Sequence, residues 1–179
     1  MDFDGVYRNS EVWINGHSLG FRPNGYVSFR YDLTPYLRYG SQPNVIAVKA
    51  DNSEQPNSRW YSGSGIYRNV WLVKVNPVHV DNWGTFVHDM KISSEEATFA
   101  LEVRVRNSSE ADREAEVSTS IYDDRNRVVT ASVTTLLRVP YTPCYDTRMR
   151  EASVDHQFSI PNPKLWSPDS PSLYTAVTE

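Results

Sequence analysis

From Ala97 to Arg106 the chain alternates strictly, with Phe99, Leu101, Val103 and Val105 apolar and Glu102, Arg104 and Arg106 charged between them. Side chains two residues apart share one face of a strand, so this pattern makes a half-buried strand and does not fit an amphipathic helix, whose apolar positions recur every three to four residues. The period returns in Ala115, Val117, Thr119 and Ile121, in Val129, Ala131, Val133, Thr135 and Leu137, and in Val154, His156, Phe158 and Ile160. Strands buried on one face need a second sheet to cover them, so the second half of the chain is expected to be a β-sandwich. Asp123-Asp124-Arg125-Asn126 and Asn107-Ser108-Ser109 read as turns, and Leu173 to Val177, after the proline-rich stretch from Pro161 to Pro171, as the closing strand. His156, on an apolar face, is expected to be a satisfied core histidine.

The first half carries the same signals in shorter pieces. Val12 and Ile14 oppose Trp13, and Asn15-Gly16 supplies the positive φ values of a tight hairpin turn leading into a strand from His17 to Gly20. Tyr26, Ser28, Arg30 and Asp32 oppose Val27, Phe29, Tyr31 and Leu33, which predicts a strand over 26–32. Thr34-Pro35 opens one short helical turn over 34–38, ended by Gly40. Asn44 to Ala50 is nearly continuous in apolar residues and reads as a strand covered on both faces, and 67–75 as a further strand. Pro77 to Gly84 reads as a linker, since Pro77 has no N–H to give a ladder and the polar Asp81-Asn82 pair follows. The expected organisation is an all-β chain of two sandwich domains, residues 1–76 and 77–179.

Composition agrees with this class. Five Trp, eleven Tyr and six Phe in 179 residues suit pleated, half-buried surfaces. A net charge of −4 with no basic stripe argues against a nucleic-acid or anionic-membrane partner. No apolar run approaches the roughly 20 residues of a membrane-spanning helix. The lone Cys144 has no partner for an internal disulfide and is expected to be a small buried hydrophobe. MDFDGVYR has neither a basic nor an apolar leader segment, which weighs little if the chain is a fragment with a signal upstream.

The stretch with the most chemistry is DNSEQPNSRWYSGSGIYRNVWL, Asp51 to Leu72. Asp51, Asn52, Glu54, Asn57 and Arg59 bring charges and amide forks, Trp60 and Tyr61 bring flat apolar faces, and Gly63 and Gly65 permit tight turning. A sugar ring has an apolar C–H face for stacking and hydroxyls that seek bidentate partners, so a polyhydroxylated ligand fits this mixture. An ordinary surface loop over a satellite of core has the same composition, and both readings stand on residues alone.

RWYSGSGIYRNVWL resembles the end of the N-terminal sugar-binding domain of glycoside hydrolase family 2, the family of β-galactosidases and β-glucuronidases. DFDGVYRNSEVWINGHSLGFRPNGYVSFRYDLTPYL resembles the middle of that domain, with its Trp-Ile-Asn-Gly hairpin and Gly-Tyr-x-x-Phe strand. NPKLWSPDSPSLYTAV resembles the end of the immunoglobulin-like domain that follows. The resemblance implies a jelly roll, which has about eight strands against the five read here, so the chain is expected to begin inside that domain and to expose an unpaired edge prone to self-association. It also implies that an acidic residue near the start of the loop lines the sugar pocket. Asp51 is the candidate, with Asn52 and Glu54 as alternatives. Arg59 would clamp a hydroxyl or brace the catalytic carboxylates, and Trp60 and Tyr61 would stack on the sugar or wedge between domains. Arg68 is expected to serve a structural ion pair or a backbone carbonyl.

Catalysis in the resembled family comes from two glutamates on a TIM barrel beyond this stretch, and retaining hydrolysis needs its two carboxyl groups about 5 to 5.5 Å apart. No residue here is assigned as catalytic. There is no metal-spaced His/Cys cluster, no phosphate-cradling glycine loop and no nucleophile elbow, so no metal or cofactor is expected. Three readings follow: a non-catalytic portion of a β-galactosidase-like enzyme, partnered by a glycoside, by its own TIM barrel and by further copies of itself; a free-standing carbohydrate-binding module; or a two-sandwich protein-interaction module.

Overall fold

The computed structural model describes residues 1–54, 62–143 and 150–179. Apart from a single 3₁₀ turn over Thr34–Tyr36, the regular structure of the described residues is all β. The chain divides into two compact units, Met1–Lys74 and Val75–Glu179.

Among its described residues the first unit holds eight short strands: β1 (Asp2–Phe3), β2 (Val6–Tyr7), β3 (Ser10–Ile14), β4 (His17–Arg22), β5 (Phe29–Arg30), β6 (Ile46–Ala50), β7 (Gly65–Ile66) and β8 (Val70–Trp71). They form antiparallel sheets ordered β5-β1-β8, β4-β3-β6 and β2-β7. The alternation in β3 buries Val12 and Ile14 completely, and they join Phe3, Val6, Phe29, Tyr31 and Leu33 in one core. Asn15 and Gly16 take φ values of 50° and 87°, the left-handed pair that a tight hairpin requires. Asn15 also ties this turn to the rest of the unit, donating to Tyr36 O and Asn44 Oδ1, each at 2.8 Å.

Three expectations need correction here. The strand expected over 26–32 contracts to Phe29–Arg30, because Tyr26 and Val27 are more than half exposed and only Phe29, Tyr31 and Leu33 reach the core. The strand expected over 67–75 contracts to β8, Val70–Trp71, with 67–69 and 72–75 irregular, and β7 lies just before the expected span. β6 is not covered on both faces: it is an edge strand paired only with β3, and Ile46 remains 38% exposed. An unbroken apolar run therefore marks a strand without stating how many of its faces are covered.

The second unit is an immunoglobulin-like sandwich, with two three-stranded sheets among its described residues. β9 (Val78–Ile92), β10 (Glu96–Asn107) and β13 (Glu151–Pro161) lie in the order β13-β10-β9, and β11 (Arg113–Tyr122), β12 (Val133–Val139) and β14 (Thr175–Thr178) in the order β12-β11-β14. Leu101, Val103, Val105, Phe158 and Ile160 of one sheet meet Val117, Ile121 and Val139 of the other. The expected linker over 77–84 is instead mostly the first half of β9. Its polar and glycine residues mark an irregularity in the ladder with β10, where Trp83 takes φ 55° and the register shifts opposite Val103 to Val105. A Cβ on Gly84 would lie 2.6 Å from Asp81 O and 2.8 Å from Arg104 O, so the backbones approach there as only glycine allows.

Polar groups inside this sandwich are few and specific. Asn107 is fully buried, with Nδ2 donating to Ala111 O at 2.8 Å and Val139 O at 3.1 Å while Oδ1 accepts from Ser109 N at 2.9 Å. Asp123 accepts the N–H groups of Arg125 and Arg127 and the Arg127 guanidinium, which makes it the turn former expected and holds its carboxyl well below the usual range. His156 is fully buried and shares a 3.0 Å hydrogen bond between Nδ1 and Thr119 Oγ1 of the opposite sheet. Its Nε2 has no partner among the described residues, where the core histidine is only half satisfied.

Burial lowers the His156 pKa, so the folded state holds the ring neutral where the unfolded chain, near pH 6.5, takes up a proton. The stability held by the neutral ring is complete above about pH 6.5 and falls as pH drops below it. His88 acts with opposite sign, because Asp155 and Asp89 raise its pKa and its contribution fades as pH rises. Urea unfolding should therefore lose midpoint between pH 7 and 5 by a smaller amount in His156→Leu than in the unsubstituted protein. Parallel profiles for the two proteins would show that His156 does not couple to folding.

Candidate functional site

The ladder between β3 and β6 runs from Ile14↔Ile46 to Ser10↔Ala50. Where it ends, the chain before β3 and the chain after β6 remain side by side, placing Arg8 and Asn9 against Asp51. The Asp51 N–H donates to Arg8 O at 2.9 Å, and Asn9, at φ 46°, turns its Nδ2 to donate to Asp51 O at 3.2 Å. Asparagine tolerates this left-handed conformation better than most residues. Both peptide groups of Asp51 are thereby held, and its side chain projects from a fixed main chain.

The carboxylate itself is half committed. Ser53 donates its N–H at 3.1 Å and its hydroxyl at 2.6 Å to the same oxygen, Oδ1. Oδ2 has no hydrogen-bond partner among the described residues. The Ser53 hydroxyl and then its N–H draw the Asp51 pKa down, and Lys49 and Arg8 add smaller pulls. The ionised Asp51 carboxylate is favoured, and in that form it is an acceptor only, with one oxygen to offer rather than two.

Its neighbours are occupied differently. Glu54 meets the Arg8 guanidinium, Nη2 to Oε2 at 2.8 Å, and Asn52 Nδ2 reaches Ser62 Oγ at 3.5 Å, linking the two described ends of the loop. Asn57, Arg59, Trp60 and Tyr61, and likewise Cys144, lie outside the described residues. Arg68 is exposed and makes no ion pair or hydrogen bond with another described residue, so the structural role expected for it is not found.

Arg8, Asn9 and Ser53 were not singled out by sequence. The first two are visible only once β3 and β6 are paired in register, since nothing local in Val6 to Ser10 points to residue 51. Ser53 had a local signal: Asp followed two residues later by Ser is a common side-chain-to-backbone turn.

Other clusters offer less. His88 lies between Asp89, at 3.0 Å from Nδ1, and Asp155, at 3.1 Å from Nε2. The two carboxylates sit at opposite edges of the ring, an arrangement that holds a proton and does not converge on a cation. Among the described residues no group of three His, Cys, Asp or Glu side chains could hold a metal ion. An open groove of about 350 Å³ is lined by Arg22, Pro23, Asn24, Val27, Ser28, Phe29 and Arg30, and none of the residues Asp51 to Glu54 borders it.

The profile of glycosyl hydrolases family 2, sugar binding domain, matches residues 1–76, and that of glycosyl hydrolases family 2 matches residues 78–179. The chain is 46% identical to beta-galactosidase BoGH2A of Bacteroides ovatus, over all of this chain and 20% of that protein. It is 30% identical to a beta-glucuronidase of Formosa agariphila, over 99% of this chain and 19% of that protein. A crystal structure of a glycosyl hydrolase family 2 member from Bacteroides cellulosilyticus superposes with a TM-score of 0.88 at 32% identity, over 99% of this chain and 23% of that one. The chain therefore spans about a fifth of the length of these relatives. With both units matched end to end, it belongs to glycosyl hydrolase family 2, as a non-catalytic portion made of the sugar-binding domain and the immunoglobulin-like domain after it.

Proposed function

We propose that this chain is part of a retaining β-galactosidase-like glycosidase, in which Asp51 lines the sugar pocket and accepts one glycone hydroxyl on Oδ2. The two catalytic glutamates belong to a TIM barrel beyond these residues, and the chain alone hydrolyses nothing. The observation that carries this reading is the state of Asp51: ionised, fixed through both its peptide groups, and with one oxygen occupied and the other open. Asn52 and Glu54 are engaged by Ser62 and Arg8, which favours Asp51 as the sugar-facing residue. Arg59, Trp60 and Tyr61 are assigned to the same pocket on sequence grounds, as clamp and stacking faces. The 46% identity to a beta-galactosidase, against 36% to a putative beta-glucuronidase and 30% to a beta-glucuronidase, favours a galactoside as substrate. The division near residue 76, and association of the full-length enzyme into oligomers, belong to the same proposal.

A hydrogen bond between a sugar hydroxyl and a carboxylate contributes about 1.5 to 3 kcal/mol. Asp51→Ala in the full-length enzyme should therefore lower kcat/KM on an aryl β-galactoside by about ten- to a hundredfold. Its melting temperature should stay within a few degrees of the parent's. Unchanged kinetics would remove Asp51 from the pocket. In the 179-residue chain, Ser53→Ala should move the Asp51 carboxyl titration, followed by carbon NMR, up toward the ordinary aspartate range. A titration that does not move would mean that Oδ1 is not held by Ser53.

A further inference from the structure

We infer that Arg8 is a positioning residue of the sugar pocket, anchoring the loop that presents Asp51. The inference rests on reading Asp51 as the sugar-facing carboxylate.

Arg8 touches the loop twice. Its carbonyl accepts the Asp51 N–H, and its guanidinium donates to Glu54 three residues further on. The adjacent Asn9 amide closes a third contact, to the Asp51 carbonyl. The loop is thus gripped at its first and fourth residues by one dipeptide, and Ser53, between them, bonds back to Asp51. The two partners in the ion pair are unequally placed. The Arg8 side chain is 27% exposed and that of Glu54 78%, so the arginine is the packed anchor and the glutamate the loop's reach toward it.

The Arg8 Nε is buried and has no acceptor among the described residues. An unpaired buried donor is unfavourable, and an arginine kept for stability alone would be expected to fill it. What this side chain does achieve is to fix Glu54 and, with it, the turn that occupies Asp51 Oδ1. Arginine suits the task because its charge persists at all working pH values and its planar head holds direction better than an ammonium group.

The test uses the 179-residue chain first, by amide hydrogen exchange read with NMR. An ion pair this open to solvent contributes little, so Arg8→Ala should speed exchange at Ser53 and Glu54 about two- to fivefold. Val12 and Ile14 in β3 should exchange unchanged. Glu54→Gln should reproduce the effect without touching Arg8, the double variant should add nothing to either single one, and Arg8→Lys should recover part of the protection. In the full-length enzyme Arg8→Ala should raise KM for the galactoside more than it lowers kcat. Exchange at Ser53 and Glu54 that is unaffected in both Arg8→Ala and Glu54→Gln would overturn the inference, as would additive losses in the double variant. Loop exchange that responds as expected while Asp51→Ala leaves catalysis intact would keep the anchor and reject the sugar-pocket reading.

Discussion

The antiparallel ladder between β3 and β6 is the constraint on which the candidate site depends. Its register follows from burial: Val12 and Ile14 must face the core, and a shift of one residue would turn them out to solvent. Once that register is set, Ser10 lies opposite Ala50, and the residues just beyond each strand meet whether or not they have any affinity for each other. Hydrophobic burial at one end of the ladder thereby fixes polar chemistry at the other. Arg8 and Asn9 receive Asp51, Asp51 receives Ser53, and Glu54 closes back on Arg8.

Electrostatics then decide what that chemistry can be. A carboxylate accepting two donors on one oxygen, with Lys49 and Arg8 nearby, is stabilised in its charged form and is unsuited to act as a general acid near neutral pH. It is well suited to accept a hydroxyl. In the second unit, Asp123 is drawn low by Arg127 and serves a turn, and His88 bridges two carboxylates across the sheet. Asp123 and His88 are thus committed to a turn and to a sheet face.

The all-β class and the sandwich in the second half were legible because a period of two over ten residues leaves little choice. Phe99 to Val105, Ala115 to Ile121 and Val154 to Ile160 face inward as read. Local patterns failed where tertiary context set the outcome. The Asp81-Asn82-Trp83-Gly84 sequence has the composition of a linker and the structure of an irregular strand, because the close approach of Arg104 demands glycine at 84. Ile46 to Ala50 has the composition of a central strand and sits at an edge. In the candidate site, Asp51 was singled out through a family resemblance, but Arg8 and Asn9, more than 40 residues away in sequence, were not, since only strand pairing brings them beside it. Asn107 looked like a turn residue and proves to be a buried hub for the backbone of its unit.

The measurement that bears most directly on this account is the sequence of the native gene beyond codon 179, read over roughly 250 to 400 codons, the span of a (β/α)₈ barrel. The account predicts alternating strand and helix signals there, with an Asn-Glu-Pro motif for the acid/base and a later glutamate at the end of a barrel strand. A stop codon directly after Glu179 would contradict it, leaving two β-sandwiches with no catalytic partner for Asp51 to serve.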